Sequence, residues 1–245
     1  MQRNSRTHGL LSIWFIPLLL FTLFATTISN AQEKEKPAAK QKQTGTMVRL
    51  LCVQSLTEDG KEVTLATKTK DGKWKEHGKV TLRSPFISQW IQVPKGTTHL
   101  LRKQGQKMIS LGSFKSGSKL HRAILVLLPD KAKKTYRINV INPEQHKFKK
   151  GKALILNYSK FRAVVKLGGK QKVVKPGQML VENITANKDS MYRLLVSYVN
   201  KDKKIVACYD RFVSSNPRTR KFLLLFPDTH TGLRVFSLSE FGPFE

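Results

Sequence analysis

Ile124-Leu125-Val126-Leu127-Leu128-Pro129-Asp130 recurs 98 residues later as Phe222-Leu223-Leu224-Leu225-Phe226-Pro227-Asp228. Each copy follows basic residues, His121-Arg122 in the first and Arg220-Lys221 in the second, and each precedes a second alternating run. A further anchor supports the match. The turn Asp71-Gly72 precedes Gly168-Gly169 by 97 residues, and both turns lie between β-type runs. Near-equal offsets at two distant points predict a tandem duplication of one β-rich module.

Working outward, short apolar or alternating runs are separated by turn residues at fairly regular intervals. In the first half the runs are Val48 to Leu56, Val63 to Lys70, Lys73 to Lys75, Lys79 to Arg83, Gln89 to Val93, Thr98 to Lys103, Lys107 to Leu111, Ala123 to Leu128 and Thr135 to Ile141. In the second they are Ala153 to Tyr158, Ala163 to Leu167, Lys170 to Val174, Met179 to Ile184, Tyr192 to Val199, Lys204 to Phe212, Phe222 to Phe226 and Leu233 to Leu238. Breaks such as Pro94-Lys95-Gly96, Gln104-Gly105-Gln106, Pro129-Asp130 and Asn200-Lys201-Asp202 divide them. No segment carries helical periodicity with caps. The pattern predicts an all-β chain of two tandem β-sandwich, immunoglobulin-like modules, 47–142 and 151–245, joined by a linker at 143–150.

The ends add an address. Arg3 and Arg6 precede an uncharged apolar stretch from Leu10 to about Ile28, and Ser29-Asn30-Ala31 offers small residues before a cleavage point. Residues 1–31 therefore read as a secretory signal peptide. The stretch is also close to the roughly 20 residues that span a bilayer, so an uncleaved anchor, with membrane contact, is the competing reading. Residues 32–46 (QEKEKPAAKQKQTGT) hold little to bury and read as a disordered basic tether. The expected location is secreted, periplasmic or cell-envelope.

The Pro-Gly turns carry a resemblance. Val93-Pro94-Lys95-Gly96 leads into Thr98 to Lys103, and Lys175-Pro176-Gly177 leads into Met179 to Ile184. In this the chain resembles secreted bacterial tandem β-sandwich modules with no assigned activity. The resemblance implies the fold and an exported address, and no functional residues. The two Pro-Gly turns do not fall at a common repeat offset.

Charge is the main functional statement. The 245 residues carry 45 Lys and Arg against 16 Asp and Glu, a net charge of +29. So large an excess concerns partners and solubility, not fold. It points to an anionic polysaccharide or other envelope polymer, with a solvated basic surface as the plain alternative. Three clusters are candidates for anion binding. Lys68, Lys70, Lys73 and Lys75 flank the Asp71-Gly72 turn. A two-residue turn there would pair Lys70 with Lys73 and Lys68 with Lys75, placing all four on one face. Lys147, Lys149, Lys150 and Lys152 surround Phe148, and Arg218, Arg220 and Lys221 form the third cluster. Basic residues with an interleaved aromatic can serve nucleic acid, but the export signal and the missing nucleic-acid fold signature argue against it.

Catalytic signatures are missing. The chain has no Gly-x-Ser-x-Gly, His-Glu-x-x-His, phosphate-binding glycine loop or dinucleotide fingerprint. His77, His99, His121, His146 and His230 are scattered singly, so no metal and no cofactor is expected. Asp130 and Asp228 repeat, yet each follows Pro at the end of an apolar run, where Asp opens turns. Cys52 and Cys208 sit at non-equivalent places in the repeats, which argues against a disulfide. The expected function is therefore non-enzymatic binding of an anionic polymer. The alternative is an assembly module that takes an envelope protein along an exposed β-edge, with the terminal Phe241-Gly242-Pro243-Phe244 as a docking tail. A hydrolase with an unrecognised site is the remote third.

Overall fold

The computed structural model describes residues 45–56, 62–200 and 202–242. The expected signal segment, most of the expected tether and residues 243–245 lie outside them. Among the described residues the chain is all β, with no helix and four sheets arranged as two pairs.

In the first pair, one sheet runs β3 (Trp74–Thr81), β2 (Glu62–Lys68), β6 (Gly96–Gln104), β7 (Lys107–Ser116). Its partner centres on β1 (Gly45–Cys52), which pairs in parallel with β8 (Arg122–Asp130), itself antiparallel to β9 (Thr135–Ile141). The short strands β4 (Phe86–Ile87) and β5 (Ile91–Pro94) share the other edge of β1. The second pair repeats this order. One sheet runs β12 (Lys170–Val174), β11 (Ala163–Leu167), β14 (Met191–Val199), β15 (Ile205–Ser214). The other runs β13 (Met179–Asn183), β10 (Lys152–Asn157), β16 (Thr219–Asp228), β17 (Gly232–Phe241), with β10 and β16 parallel.

The repeated phrase now has a physical cause. The sheets holding β8 and β16 face each other, so each is covered on both sides. Leu125 and Leu127 point into the core of the first sandwich, while Ile124, Val126 and Leu128 point toward the second. Leu223 and Leu225 likewise fill the second core, and Phe222 and Leu224 turn to meet Leu154, Leu156 and the first sandwich. A strand buried on both faces needs apolar side chains at every position, which erases alternation and leaves an uninterrupted apolar run. The outer strands face water on one side and keep their alternation.

Four expectations need correction. The tether ends earlier than 46, because Gly45 and Thr46 begin β1 and the buried Thr46 hydroxyl donates to the Leu120 carbonyl at 2.7 Å. Lys79 to Arg83 is no separate strand; Lys79 to Thr81 continue β3 past a bulge at His77 opposite Leu65 and Ala66. Pro129-Asp130 does not break its strand, since both residues stay paired to Tyr136 and Thr135. The fourth correction is the lysine hairpin. Lys68 stands opposite Trp74 and Thr67 opposite Lys75, and the Thr69 N–H donates to the Lys73 carbonyl. The turn thus holds three residues, Lys70 to Gly72, with Gly72 at φ 80° closing it onto the Thr69 carbonyl. A turn one residue longer shifts the register by one, and each such shift moves side chains to the other face. Lys68 and Lys75 therefore lie on opposite faces.

The connection at 143–150 is packed into the fold. The Asn142 side-chain oxygen accepts from the Glu144 and Gln145 N–H groups at 3.0 and 3.2 Å, capping a tight turn. That turn delivers Phe148, 2% exposed, between the facing sheets, where its ring meets Phe222 edge-on at 5.1 Å.

Candidate functional site: a basic pocket between the sandwiches

Where β8 and β16 begin, Arg122 and Arg220 stand at equivalent points of the repeat. The connection between the sandwiches closes over them and makes a pocket of about 460 Å³, lined by Pro143, Glu144, Lys147, Phe148, Lys149 and Lys150 together with the two arginines. Five basic side chains thus face one carboxylate. The apolar part of the lining, Pro143 and the Phe148 ring, removes water from one side of any bound group and strengthens charge interactions there.

The floor is built from a buried charge cluster. The Arg220 guanidinium donates through Nε to Glu240 Oε2 at 2.8 Å and through Nη1 to the Phe148 carbonyl at 3.1 Å, and it covers the Phe148 ring at 4.9 Å. The other oxygen of Glu240 takes Arg49, from the first sandwich. Arg49 lies over the Trp90 ring at 4.7 Å, and Arg122 approaches the same ring at 5.9 Å. Burial lowers the Arg220 pKa, Glu240 opposes that shift, and the positive charges of Arg49 and Arg122 add to it. Guanidinium groups crowded this way form an electropositive centre that an external anion can relieve. Planar donor forks suit carboxylate, sulfate and phosphate groups.

The structure brings together two of the three predicted clusters, in part. Lys147, Lys149 and Lys150 join Arg220 at the pocket. Lys152 enters β10 and does not line it, and Arg218 lies exposed in the preceding turn. Lys221 points the opposite way, into the second sandwich, with its ammonium 5.5 Å from the Tyr192 ring and its pKa lowered by burial. Adjacent residues of a strand alternate faces, so Arg220 and Lys221 cannot serve one site. Lys68, Lys70, Lys73 and Lys75 remain on the outer sheet of the first sandwich, spread over its hairpin, where Lys73 approaches Asp71 at 3.6 Å. Sequence reasoning did not select Arg49 or Arg122. The 98-residue offset contained the signal for Arg122, because it places that residue on Arg220; nothing in sequence pointed to Arg49.

The other polar candidates resolve locally. Asp228 Oδ1 accepts from the His230 and Thr231 N–H groups at 2.9 Å each, and Asp130 Oδ1 from the Lys133 N–H at 3.2 Å. Both acids thus shape the turn after their strand. His77 Nε2 lies 2.9 Å from the Thr67 hydroxyl, and the His99 ring meets Trp74 at 5.1 Å. Cys52 and Cys208 are not disulfide-bonded and belong to different sandwich cores. Among the described residues no group of three or more His, Cys, Asp or Glu could hold a metal ion, and no helix is long and apolar enough to cross a membrane. Compared with known protein families and with curated proteins, the sequence matches none.

Proposed function

We propose that the chain is an exported, non-enzymatic protein of the periplasm or cell envelope that binds an anionic polymer, acidic polysaccharide foremost. Its two immunoglobulin-like modules arose by internal duplication, and residues 1–31 act as the export signal. The observation that carries this reading is the junction pocket, where Arg122, Arg220, Lys147, Lys149 and Lys150 converge from three segments of a chain with net charge +29. Binding there is charge neutralisation with some shape: the arginines are fixed by Glu240 and the aromatic rings, and the lysines adapt from the rim. The hairpin lysines add dispersed attraction that salt screens beyond a Debye length of about 8 Å.

The test is binding of the purified protein to an acidic polysaccharide, a neutral glycan and nucleic acid, at low and at physiological salt. Preference for the acidic glycan that persists at physiological salt, and falls about tenfold when Lys147, Lys149 and Lys150 become Gln, supports the pocket. Indiscriminate binding that vanishes with salt, or a junction variant no weaker than one with Gln at Lys68, Lys70, Lys73 and Lys75, refutes it.

One observation favours the assembly reading. β15 edges its sheet with Ile205 71% and Phe212 70% exposed, a combination that suits strand addition by a protein partner. Crosslinking in the envelope that captures one defined protein through β15 supports it; capture of none counts against it.

A further inference from the structure

We infer that the opposite end of the interface between the sandwiches is a second, separate site that takes a sugar ring bearing a carboxylate. This rests on the acidic-polysaccharide reading and names the unit of the polymer that is recognised one ring at a time. The site lies where β8 and β16 end. Eight residue steps separate it from the basic pocket, about 25 Å along the strands. The core between the two ends is packed with Ile124, Val126, Phe222 and Leu224, so they are distinct cavities.

The pocket measures about 580 Å³, within the range of small-molecule sites, and equivalent residues of both modules line it. Leu128 with Arg137 and Phe226 with Arg234 are matching cross-strand pairs, and each strand finishes in Pro-Asp. One wall is an aromatic shelf. Tyr158 stacks on Phe226 at 5.2 Å, and Phe226 meets Phe236 edge-on at 5.7 Å. The apolar face of a pyranose ring fits such a shelf, as it buries C–H surface against rings.

The two halves then differ in a way that creates function. Arg234 is held by Asp228, Nε to Oδ2 at 3.1 Å. In the first module Asp130 turns to the Lys133 N–H, and Arg137 has no ion-pair partner among the described residues. Arg137 is thus a guanidinium fork at the pocket wall, placed to take an incoming carboxylate. Asp228 is occupied within its own module, its oxygens taken by the His230 and Thr231 N–H groups and by Arg234. Asp130, whose Oδ2 lies 4.0 Å from the Lys133 ammonium, is therefore the acceptor that sugar hydroxyls supply with donors and a plain aliphatic or aromatic acid does not. The Tyr158 hydroxyl accepts from Asn139 Nδ2 at 2.9 Å, which leaves its own proton available to donate. A neutral sugar would leave Arg137 unmatched. A uronate satisfies the Arg137 cation, the Asp130 acceptor and the shelf together.

The experiment is calorimetric titration of the whole protein with a uronate disaccharide and with its neutral hexose counterpart. Expected are uronate binding at least roughly tenfold tighter than neutral sugar, loss of that preference in Arg137→Gln, and weakening of both ligands in Phe226→Leu, which keeps apolar volume and removes the ring. The junction variant with Gln at Lys147, Lys149 and Lys150 should bind the disaccharide as the unaltered protein does. No uronate binding, or binding that Arg137→Gln leaves unchanged, overturns the second site. Disaccharide binding that requires Arg137, in a protein that binds no acidic polymer at the junction, supports this site and defeats the polymer reading alone.

Discussion

Arg49 and Glu240 lie 191 residues apart in the chain and form an ion pair that ties the first sandwich to the second. The Glu240 side chain is 1% exposed and divides its two oxygens between Arg49 and Arg220. By register, Arg49 opposite Ile124 occupies the place that Leu154 holds opposite Phe222. One sandwich meets the interface with an apolar residue and the other with a cation, so the two sandwiches are not interchangeable there.

Removing the shared carboxylate should therefore be costly. Glu240→Gln leaves the buried Arg220 and the part-buried Arg49 without their shared negative charge, and we expect a loss of about 3 kcal/mol in urea unfolding. The triple change Arg49→Leu, Arg220→Met, Glu240→Leu removes all three charges and should recover most of that loss. A triple variant as unstable as Glu240→Gln would mean that the charges stabilise the interface in their own right.

Phe148 is the apolar counterpart. Phe148→Ala should lower stability by about 3–5 kcal/mol, since the cavity opens between sheets that cannot collapse independently. Phe212→Ala, on an exposed edge, should change it by less than about 0.5 kcal/mol. Thermal unfolding of the two variants checks the contrast, and equal shifts would contradict the burial assigned to Phe148.

Thiol reactivity probes the sandwich cores. Burial raises the Cys208 thiol to about 11, and Cys52 is fully covered. At pH 8 the Cys208 thiolate fraction is about one in a thousand, so neither cysteine should react with a disulfide reagent on the timescale of minutes. Both should react at once in denaturant. A native thiol that reacts rapidly would show that its core opens.

Asp228 sets an acid limb. The Thr231 and His230 N–H groups, with Arg234 adding charge, hold its carboxyl below the ordinary value. Its folded pKa is thus depressed, so its contribution is complete above the unfolded pKa of about 3.9 and is lost as pH falls through the folded one. Asp228→Asn should be less stable at neutral pH and should lose less melting temperature between about pH 5 and about pH 2.5 than the unaltered protein. Parallel pH profiles would remove Asp228 from this role.

Most strands were legible because their patterning is local. Period-two alternation marks β9 and β11, and uninterrupted apolar runs mark β8, β10 and β16. β4, two residues long beside Pro85, carried no pattern. The lysine hairpin was misread because one residue of turn length, invisible in the Asp71-Gly72 dipeptide, reverses which face each side chain takes. Half of the junction pocket was visible as Lys147, Lys149, Lys150 and Arg220 in two separate clusters.

Local composition alone determined the β class, the repeat, the strong positive charge and the turn role of Asp130 and Asp228, because each depends on neighbours in the chain. Tertiary structure decided the consequences of stacking the two inner sheets. It brought Arg49 and Arg220 onto Glu240 with Arg122 close to Arg220, sent Lys221 to the far side of its strand, and opened a pocket at each end of the interface. Those relations join residues up to 191 positions apart. No periodicity encodes them, since they arise only when two strands, each buried on both faces, are laid against one another.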